Sequence, residues 1–365
     1  MARVLVFSAR MGAGHDGVAN ELARRARARG HDAQVVDFLD AFARPLAVAW
    51  EYLYWAQLRY WPESYEKSYQ QFYRHPALWA PFVRFERALA GRRSMRWIRE
   101  YEPDVIVSTY SFATLVLGRL REEGRIHVPA VAFLTDLGVH PRTVHPAIDL
   151  HLAVHPIAAC DARRYVPGRV DAPGPAVSPA YRAYLVSRES ARKELGLGGD
   201  ALIVLVVCGS WGIGTGLTKV VESLAADPHV EVIVACGRDQ RLKTRLQAIA
   251  RCTALGWTDQ MPLYTAAADV VVENAGGLSS LEAFAAGVPV ISFDPIPGHG
   301  RDNVQAMVRA QITTAPQTLA GLAQAIVALT TDTPQRRVQL QAAEAMFVRD
   351  PIDSILEMTV TNRPS

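Results

Sequence analysis

The sequence is poor in several things that would each have fixed its class. It has four cysteines, Cys160, Cys208, Cys236 and Cys252, scattered through 365 residues with no Cys-x-x-C pair. Reduced thiols in a cytoplasmic enzyme are the economical reading. The net charge of +3 is too small to call for nucleic acid. No apolar run is long enough to span a bilayer. The first expected strand begins at Arg3, which leaves no room for a signal peptide ahead of it. Half of the residues are hydrophobic, enough for a substantial core and for two domains rather than one.

Arg3 to Ser8 reads as a buried parallel strand. Met11 to Gly17 is glycine-rich, Val18 to Arg29 has helical spacing with Val18, Leu22 and Ala26 on one face, and Ala33 to Asp37 is a second strand. This is a βαβ unit with a phosphate-friendly loop at the carboxyl edge of its sheet. Gly12, Gly14 and Gly17 fit G-x-G-x-x-G, and Asp37 follows at about the distance of a ribose-binding acid. A nicotinamide-dependent dehydrogenase is therefore a rival reading. His15, inside that loop, is expected to point into an interdomain crevice and to be able to take a proton there.

Residues 44–99 differ in character. They hold fourteen of the chain's aromatics, among them Trp50, Tyr52, Tyr54, Trp55, Tyr60, Trp61, Tyr65, Tyr69, Phe72 and Tyr73. Basic residues outnumber acidic ones there, with Arg44, Arg59, Lys67, Arg74, Arg84, Arg87, Arg92, Arg93, Arg96 and Arg99 against Glu51, Glu63, Glu66 and Glu86. Rings beside arginines suit an anionic membrane interface or a greasy acceptor. They equally suit a helical insertion whose aromatics fill its own core.

The sheet resumes at Asp104 to Ser108, a helix follows over Phe112 to Glu123, and Val128 to Leu134 is the next strand. Thr135 and Asp136 sit at its carboxyl end, the edge where active sites of open α/β sheets gather, so Asp136 is a candidate base or partner for a histidine. His140, His145, His151 and His155 cluster beyond, but their spacing fits no zinc pattern. His140 and His145 are expected to line the cleft, and His151 and His155 to be strand or loop residues.

Proline and glycine crowd residues 167–200, which read as a linker with one short helix, Ser190 to Leu195. Ala201 to Val207 is a wholly apolar strand, followed by a second glycine-rich loop, Cys208 to Gly216, and a helix from Leu217 to Ala226. No Gly-Lys-Ser/Thr closes that loop, so it is not a P-loop. Further strands are expected at Val230 to Gly237, Leu255 to Trp257, Asp269 to Val272 and Val288 to Ile291, with a short helix over Met261 to Ala267. Between the last two strands lies Asn274-Ala275-Gly276-Gly277-Leu278-Ser279-Ser280-Leu281-Glu282, opening a helix from Leu281 to Ala286. The glycine pair permits close backbone approach, and the unpaired amides of a first helical turn favour a phosphate. Glu282, one turn in, is near enough to bond a sugar hydroxyl. This is a nucleotide-diphosphate site, or else a capped helix of any α/β protein. Residues 318–330 and 334–348 look helical, and the tail, 350–365, is a candidate to pack back on the first domain.

Gly12-Ala13-Gly14-His15, Thr135-Asp136-Leu137-Gly138 with His140, Cys236-Gly237-Arg238, the Ala275-Gly276-Gly277…Glu282 turn and Pro297-Gly298-His299…Asn303 occur in one order. In that combination the chain resembles the GT-B glycosyltransferases of the monogalactosyldiacylglycerol synthase and diacylglycerol glucosyltransferase type, relatives of MurG, over most of residues 3–315. The resemblance implies an α/β protein of two Rossmann-like, doubly wound domains facing each other across a cleft. An acceptor domain, 1–170, would carry the helical insertion 44–99. A linker, 171–199, a nucleotide-sugar domain, 200–348, and a tail, 349–365, would come after it. It implies direct displacement at the anomeric centre, with inversion, of a sugar from a UDP-sugar to a lipid or other hydrophobic hydroxyl, with no cofactor and no catalytic metal.

Carried over by position, His15 and Asp136 are the expected catalytic pair. Gly209, Ser210, Trp211, Gly212, Cys236, Gly237, Gly276, Gly277, Leu278, Ser279, His299 and Asn303 would hold the nucleotide sugar, with Glu282 on the ribose. Gly12, Gly14, His140 and His145 would meet the acceptor. Two departures stand out. The sugar-contact loop, often Pro-Gly-Gln-Glu in the family, is Pro297-Gly298-His299-Gly300, and the family's Thr-Lys before the Ala-Gly turn is Glu273-Asn274. The first leaves the donor sugar open; the second puts an anion where a cation is expected near the diphosphate. A soluble acceptor, a UDP-sugar epimerase of the same fold and a non-catalytic scaffold remain alternatives. The expected location is cytoplasmic, peripheral on the inner face of the cell membrane.

Overall fold

The computed structural model describes residues 1–74, 76–183, 187–198, 200–214 and 216–360, with side chains other than those of 73–87. The expectations for Tyr73, Arg74, Arg84, Glu86 and Arg87 in the insertion, for Thr215 in the second glycine loop and for the end of the tail lie outside these. The chain divides into two compact units, one of Met1–Gln57, Glu63–Ala176 and Met346–Ser365, the other of Leu58–Pro62 and Val177–Ala345.

The first unit holds a parallel sheet of six strands: β1 (Arg3–Ser8), β2 (Asp32–Asp37), β3 (Val105–Ser108), β4 (Ala130–Leu134), β5 (Leu150–Ala153) and β6 (Arg169–Asp171), in the order β2-β1-β3-β4-β5-β6. Val4 to Phe7 and Val105 to Val107 have essentially no exposed surface. Strands covered on both faces by helices read as unbroken apolar runs, which is why the inner strands were visible in the sequence. β5 was visible only as the strand alternative offered for His151, and β6 was not visible: each is short and mixed, and β6 occupies the start of the expected linker. The helix Gly14–Ala28 buries Val18, Leu22 and Ala26 and carries Arg25 and Arg27 in its last turn, where cations oppose the helix dipole. It begins four residues before the expected Val18, so Gly17 lies inside the helix, its N–H bonded to the Ala13 carbonyl.

The insertion is three helices, Arg44–Tyr60, Pro62–Arg74 and Pro76–Tyr101. Pro62 and Pro76 each open a helix, where the missing N–H costs nothing. Most described rings of the first two helices turn inward: Trp50 packs on Phe42 and Phe112, Tyr54 on Tyr65, and Tyr65 on Tyr69. Tyr52, Tyr60 and Trp61 stay exposed. The insertion thus has both an aromatic core and an aromatic surface.

The C-terminal helix Pro351–Val360 also belongs to the first unit. Asp350, just ahead of it, pairs with Arg25 and Arg29, each at 2.8 Å.

The second unit holds a parallel sheet of β7 (Leu202–Val207), β8 (Val230–Ala235), β9 (Cys252–Leu255), β10 (Val270–Glu273) and β11 (Val290–Ser292), ordered β11-β10-β7-β8-β9. Its core runs through Val204, Val206, Val232, Val234, Val270 and Val272, closed by Leu322, Ile326 and Leu329 of the helix Leu319–Thr330. The supposed linker is largely structured. A 3-10 turn, Pro179–Arg182, and a helix, Arg188–Glu194, lead into β7, and Arg188 and Arg192 both clamp Asp269 at the start of β10.

Each sheet has a topological switch point, where the strand order reverses: between β1 and β3 in the first unit, between β7 and β10 in the second. Ligands of open α/β sheets bind outside the carboxyl ends of such strand pairs. The loops after β1, β3, β7 and β10 are therefore the ones placed to meet substrates.

Candidate active site

At the first switch point, the loop after β1 runs into the helix Gly14–Ala28, whose second residue is His15, and the loop after β3 begins with Thr109. His15 Nδ1 lies 2.7 Å from the Thr109 backbone oxygen. A carbonyl can only accept, so Nδ1 carries the hydrogen, and in the neutral ring Nε2 carries the lone pair. Thr135 Oγ1, at the end of β4, lies 3.4 Å from the same nitrogen. The edge of the Tyr110 ring packs on the imidazole, with centroids 5.2 Å apart. The structure so brings His15 and the Thr135-Asp136 corner to one sheet edge. The partner that orients His15 is the Thr109 carbonyl rather than Asp136, a correction that sequence could not supply, since any residue has that carbonyl.

Around this corner the rings form a continuous wall. Tyr110 packs on Phe112, which packs on Trp50 and Phe72. Tyr54 belongs to the same neighbourhood, although nothing in the sequence sets it apart from the other aromatics of the insertion. Its phenol is pushed up to about 12 by burial, against a hydrogen bond with Tyr65 and with the nearby charge of Asp136 adding to the rise.

The other histidines part company. His140 joins this neighbourhood through the Tyr69 ring, 5.7 Å away. His145 does not. It packs over Gly118, accepts the Ala147 N–H on Nδ1 and lies 3.8 Å from Glu122, so it anchors the loop that leads into β5. His151 is fully buried in β5, accepts the His145 N–H, and is driven down to about 4 by burial and the neighbouring His145. His155 caps the helix Pro156–Ala162. Asp37 is also committed to the fold: one oxygen accepts the Leu39 N–H and the other binds Arg10, which also pairs with Asp40 and Glu51. An acid held this way is not open to a ribose, so the dehydrogenase reading loses the acid it needs.

At the second switch point three loops are tied together. Asn274, after β10, donates to the Ile213 carbonyl at 2.7 Å, joining the β10 and β7 loops. The Arg238 N–H, after β8, donates to the Ser210 carbonyl at 2.9 Å. Gly209, Gly212, Gly237 and Gly276 all have positive φ, between 59° and 65°. A Cβ on Gly276 would stand 2.7 Å from Asn303 Cβ and 3.0 Å from Met307 Sδ. The helix Leu278–Ala285 starts directly after Gly277, three residues earlier than expected. The amides of Gly277, Leu278 and Ser279 have no partner within the helix, while that of Ser280 bonds the Gly277 carbonyl, and such open first-turn amides are the groups that could hold an anion.

Glu273 is not the exposed anion that its sequence position suggested. It is buried, and its carboxylate accepts the N–H groups of Ala275 and Gly276 and the hydroxyl of Ser292. It braces the turn from beneath, and it withdraws those two amides from any ligand. Burial still pushes its carboxyl up, against these hydrogen bonds. Asn303 is likewise buried and donates to the Ala275 carbonyl, so it supports the turn instead of facing a sugar. Cys236 turns its thiol into the core, where burial pushes it up to about 12; only its backbone remains near the loop. Gly209, Ser210 and Trp211 keep exposed or half-buried positions in the β7 loop, as do Gly277, Leu278, Ser279, Glu282 and His299 around the turn, while Gly212 is buried in close contact with Asp239 and Cys236. Burial also pushes Glu282 up, to about 8, against a hydrogen bond from Tyr181.

Two Rossmann-like units with these switch-point loops define a GT-B fold. Comparison with known proteins agrees. Residues 15–164 match the family described as monogalactosyldiacylglycerol (MGDG) synthase, and residues 212–332 match glycosyl transferases group 1. A processive diacylglycerol beta-glucosyltransferase of Bacillus pumilus is 25% identical over 320 residues, covering 82% of this chain and 79% of that protein. Among solved structures, Acinetobacter baumannii MurG superposes with a TM-score of 0.62 at 14% identity over 98% of this chain and 100% of its own. Anabaena HepE in complex with UDP gives 0.57 at 16% over 100% of both. The chain is a glycosyltransferase of GT-B fold; its first unit is similar to the monogalactosyldiacylglycerol synthase family, and most of its length is similar to the diacylglycerol glucosyltransferases.

Proposed function

We propose that this glycosyltransferase moves a hexose from a UDP-sugar to the hydroxyl of a diacylglycerol-type lipid, with inversion and without a catalytic metal. The observation that carries the reading is the seating of His15. With Nδ1 donating to Thr109, Nε2 is presented as a base, and histidine is the side chain that most often moves a proton in general base catalysis. The acceptor oxygen attacks the anomeric carbon as Nε2 takes its proton. The bond from that carbon to the diphosphate oxygen breaks in the same step, and UDP leaves with the electron pair. One displacement inverts the centre. The amides of Gly277, Leu278 and Ser279 stabilise the departing charge, the task a metal performs elsewhere, and Glu282 accepts from the ribose.

The lipid acceptor is supported by the names of the relatives, by the aromatic wall of Trp50, Tyr110 and Phe112 beside His15, and by the outer face of the helix Arg44–Tyr60. That face exposes Leu46, Val48, Tyr52, Leu53 and Tyr60, with Trp61 next in the chain. Such a stripe suits insertion at a membrane surface. No described helix is long and apolar enough to cross a membrane. We place the protein peripherally on the inner, cytoplasmic face of the cell membrane.

The test supplies UDP-glucose and UDP-galactose with diacylglycerol in anionic vesicles and monitors glycolipid and UDP. Expected are acceptor-dependent UDP release, a β-linked product from the α-linked donor, and no loss of rate with EDTA. Release of UDP or free sugar without acceptor would point to an epimerase, and turnover confined to soluble acceptors would overturn the lipid assignment.

A further inference from the structure

The loop that starts with Thr135 and Asp136 carries a tight turn, His140-Pro141-Arg142-Thr143. The Thr143 N–H donates to the His140 carbonyl at 3.0 Å, and the Thr143 hydroxyl donates to the same oxygen at 2.8 Å. Pro141 takes the second position, where its fixed φ suits such a turn. Arg142, the third residue, is half-buried. Its Nε donates to the Phe72 backbone oxygen at 3.1 Å, and its guanidinium carbon stands 4.0 Å from the centroid of the Phe72 ring. One planar cation thus meets both the carbonyl and the ring of a single residue, a combination that suits arginine better than lysine.

Phe72 lies in the last turn of the helix Pro62–Arg74. The last carbonyls of a helix have no partner inside it, and a cation there opposes the helix dipole. Tyr69, three residues earlier and so on the same face, packs on His140 of the same turn. Proline opens this helix and the next, and a proline has no N–H to donate back across a junction. The placing of the helix therefore falls to side-chain contacts. From Phe72 the contacts run inward: its ring packs on Phe112 at 5.6 Å, Phe112 on Tyr110 at 5.6 Å, and Tyr110 on His15 at 5.2 Å. All of these residues belong to the first unit.

We propose that Arg142 is a positioning residue for the acceptor: it locks the helix Pro62–Arg74, and with it the Phe72–Phe112 side of the aromatic wall, to the loop that carries Asp136, in the register that seats a lipid chain beside His15. This rests on the reading of that wall as the surface of a lipid acceptor. Arg142 itself touches neither the reacting atoms nor the donor.

The experiment measures turnover of UDP-glucose and UDP-galactose with diacylglycerol, varied as a mole fraction in phosphatidylcholine–phosphatidylglycerol vesicles, for the wild-type protein, Arg142→Ala, Arg142→Gln and Arg142→Lys. If the released helix spends about a tenth of its time in register, KM for diacylglycerol in Arg142→Ala rises about tenfold. At saturating acceptor, kcat should stay within about threefold, because the competent state is restored when the acceptor selects it. Arg142→Gln keeps a donor but no cation and should raise KM by about threefold or more, whereas Arg142→Lys keeps a cation and a donor and should stay below that. The contrast between these two carries the test even if the alanine variant does not fold. UDP binding by calorimetry, and sedimentation with vesicles that lack diacylglycerol, should match the wild type in all three.

An unchanged acceptor KM in Arg142→Ala and Arg142→Gln would overturn the proposal. So would a loss confined to kcat with a lowered melting temperature, which would make Arg142 a support of the fold alone, or a loss in Arg142→Lys as large as in Arg142→Gln. Weaker vesicle sedimentation that accounts for the whole rise in KM would assign the effect to membrane docking and overturn it too. A wild-type protein that leaves diacylglycerol untouched would instead overturn the acceptor reading, before any variant is compared.

Discussion

Nδ1 of His15 and the backbone oxygen of Thr109 are 2.7 Å apart, across the point where the strand order of the first sheet reverses. The bond fixes both the tautomer and the plane of the ring through an atom that no side-chain substitution at residue 109 can remove. His15→Ala should lower kcat by about 100- to 10,000-fold, the range for loss of a general base. His15→Asn, which retains a polar group there but no basic nitrogen, should be nearly as slow. Donor affinity should stay within twofold in both, as calorimetry with UDP would show. Turnover within a few-fold of wild type would remove His15 from the chemistry.

Gly276 sets a second expectation. Its φ is 65°, and an added methyl would stand 2.7 Å from Asn303 Cβ. Gly30 has a similar φ of 78°, but nothing lies within 4 Å of where its methyl would go. Both alanine variants incur backbone strain of about 1 kcal/mol. Only Gly276→Ala also displaces the turn, so it alone should weaken UDP binding, by more than tenfold, while chemical denaturation shows Gly30→Ala to be the milder of the two. Equal binding by both would mean that the turn does not seat the donor.

Asp350 provides a pH test of how the tail is held. Burial acts to raise its carboxyl, but the hydrogen bond and charge of Arg25, with Arg29, outweigh it, and the group lies below its ordinary 3.8. A carboxyl depressed in the folded state contributes its stability in full above the unfolded value and loses it as pH falls through the folded one. Asp350→Asn should therefore lower stability by about 1–2 kcal/mol at pH 7, and the gap should close as the acid limb is approached below pH ~4. Urea unfolding at both pH values would measure it. A gap independent of pH would assign the effect to packing alone.

Much of this was legible because parallel strands buried on both faces leave apolar runs, and because turns that need positive φ select glycine. β1, β3, β7 and β10 and the Gly276-Gly277 turn were found that way. The failures share a different cause. Glu273 was read as an anion facing the ligand, yet one position in a strand decides between the two faces of a sheet, and its carboxylate went beneath the turn. His145 was grouped with His140 because they are neighbours in sequence, but the loop between β4 and β5 carries them to different places. Thr109 acts through a backbone atom, which has no sequence signature. Arg142 meets the equally anonymous carbonyl of Phe72 across an interval of 70 residues.

The second unit is mainly a single stretch, Val177–Ala345, and the first is completed only by the chain beyond it, from Met346 onward. During synthesis this imposes an order. The second unit has all of its strands once β11 has left the ribosome, and its remaining helices emerge soon after. The first unit has all six of its strands much earlier, yet must wait for Asp350 and the helix Pro351–Val360 to engage Arg25 and Arg29. Domains generally fold as units as they emerge. Here the half that starts first closes last, and until then Arg25 and Arg29 lack the carboxylate partner that Asp350 brings.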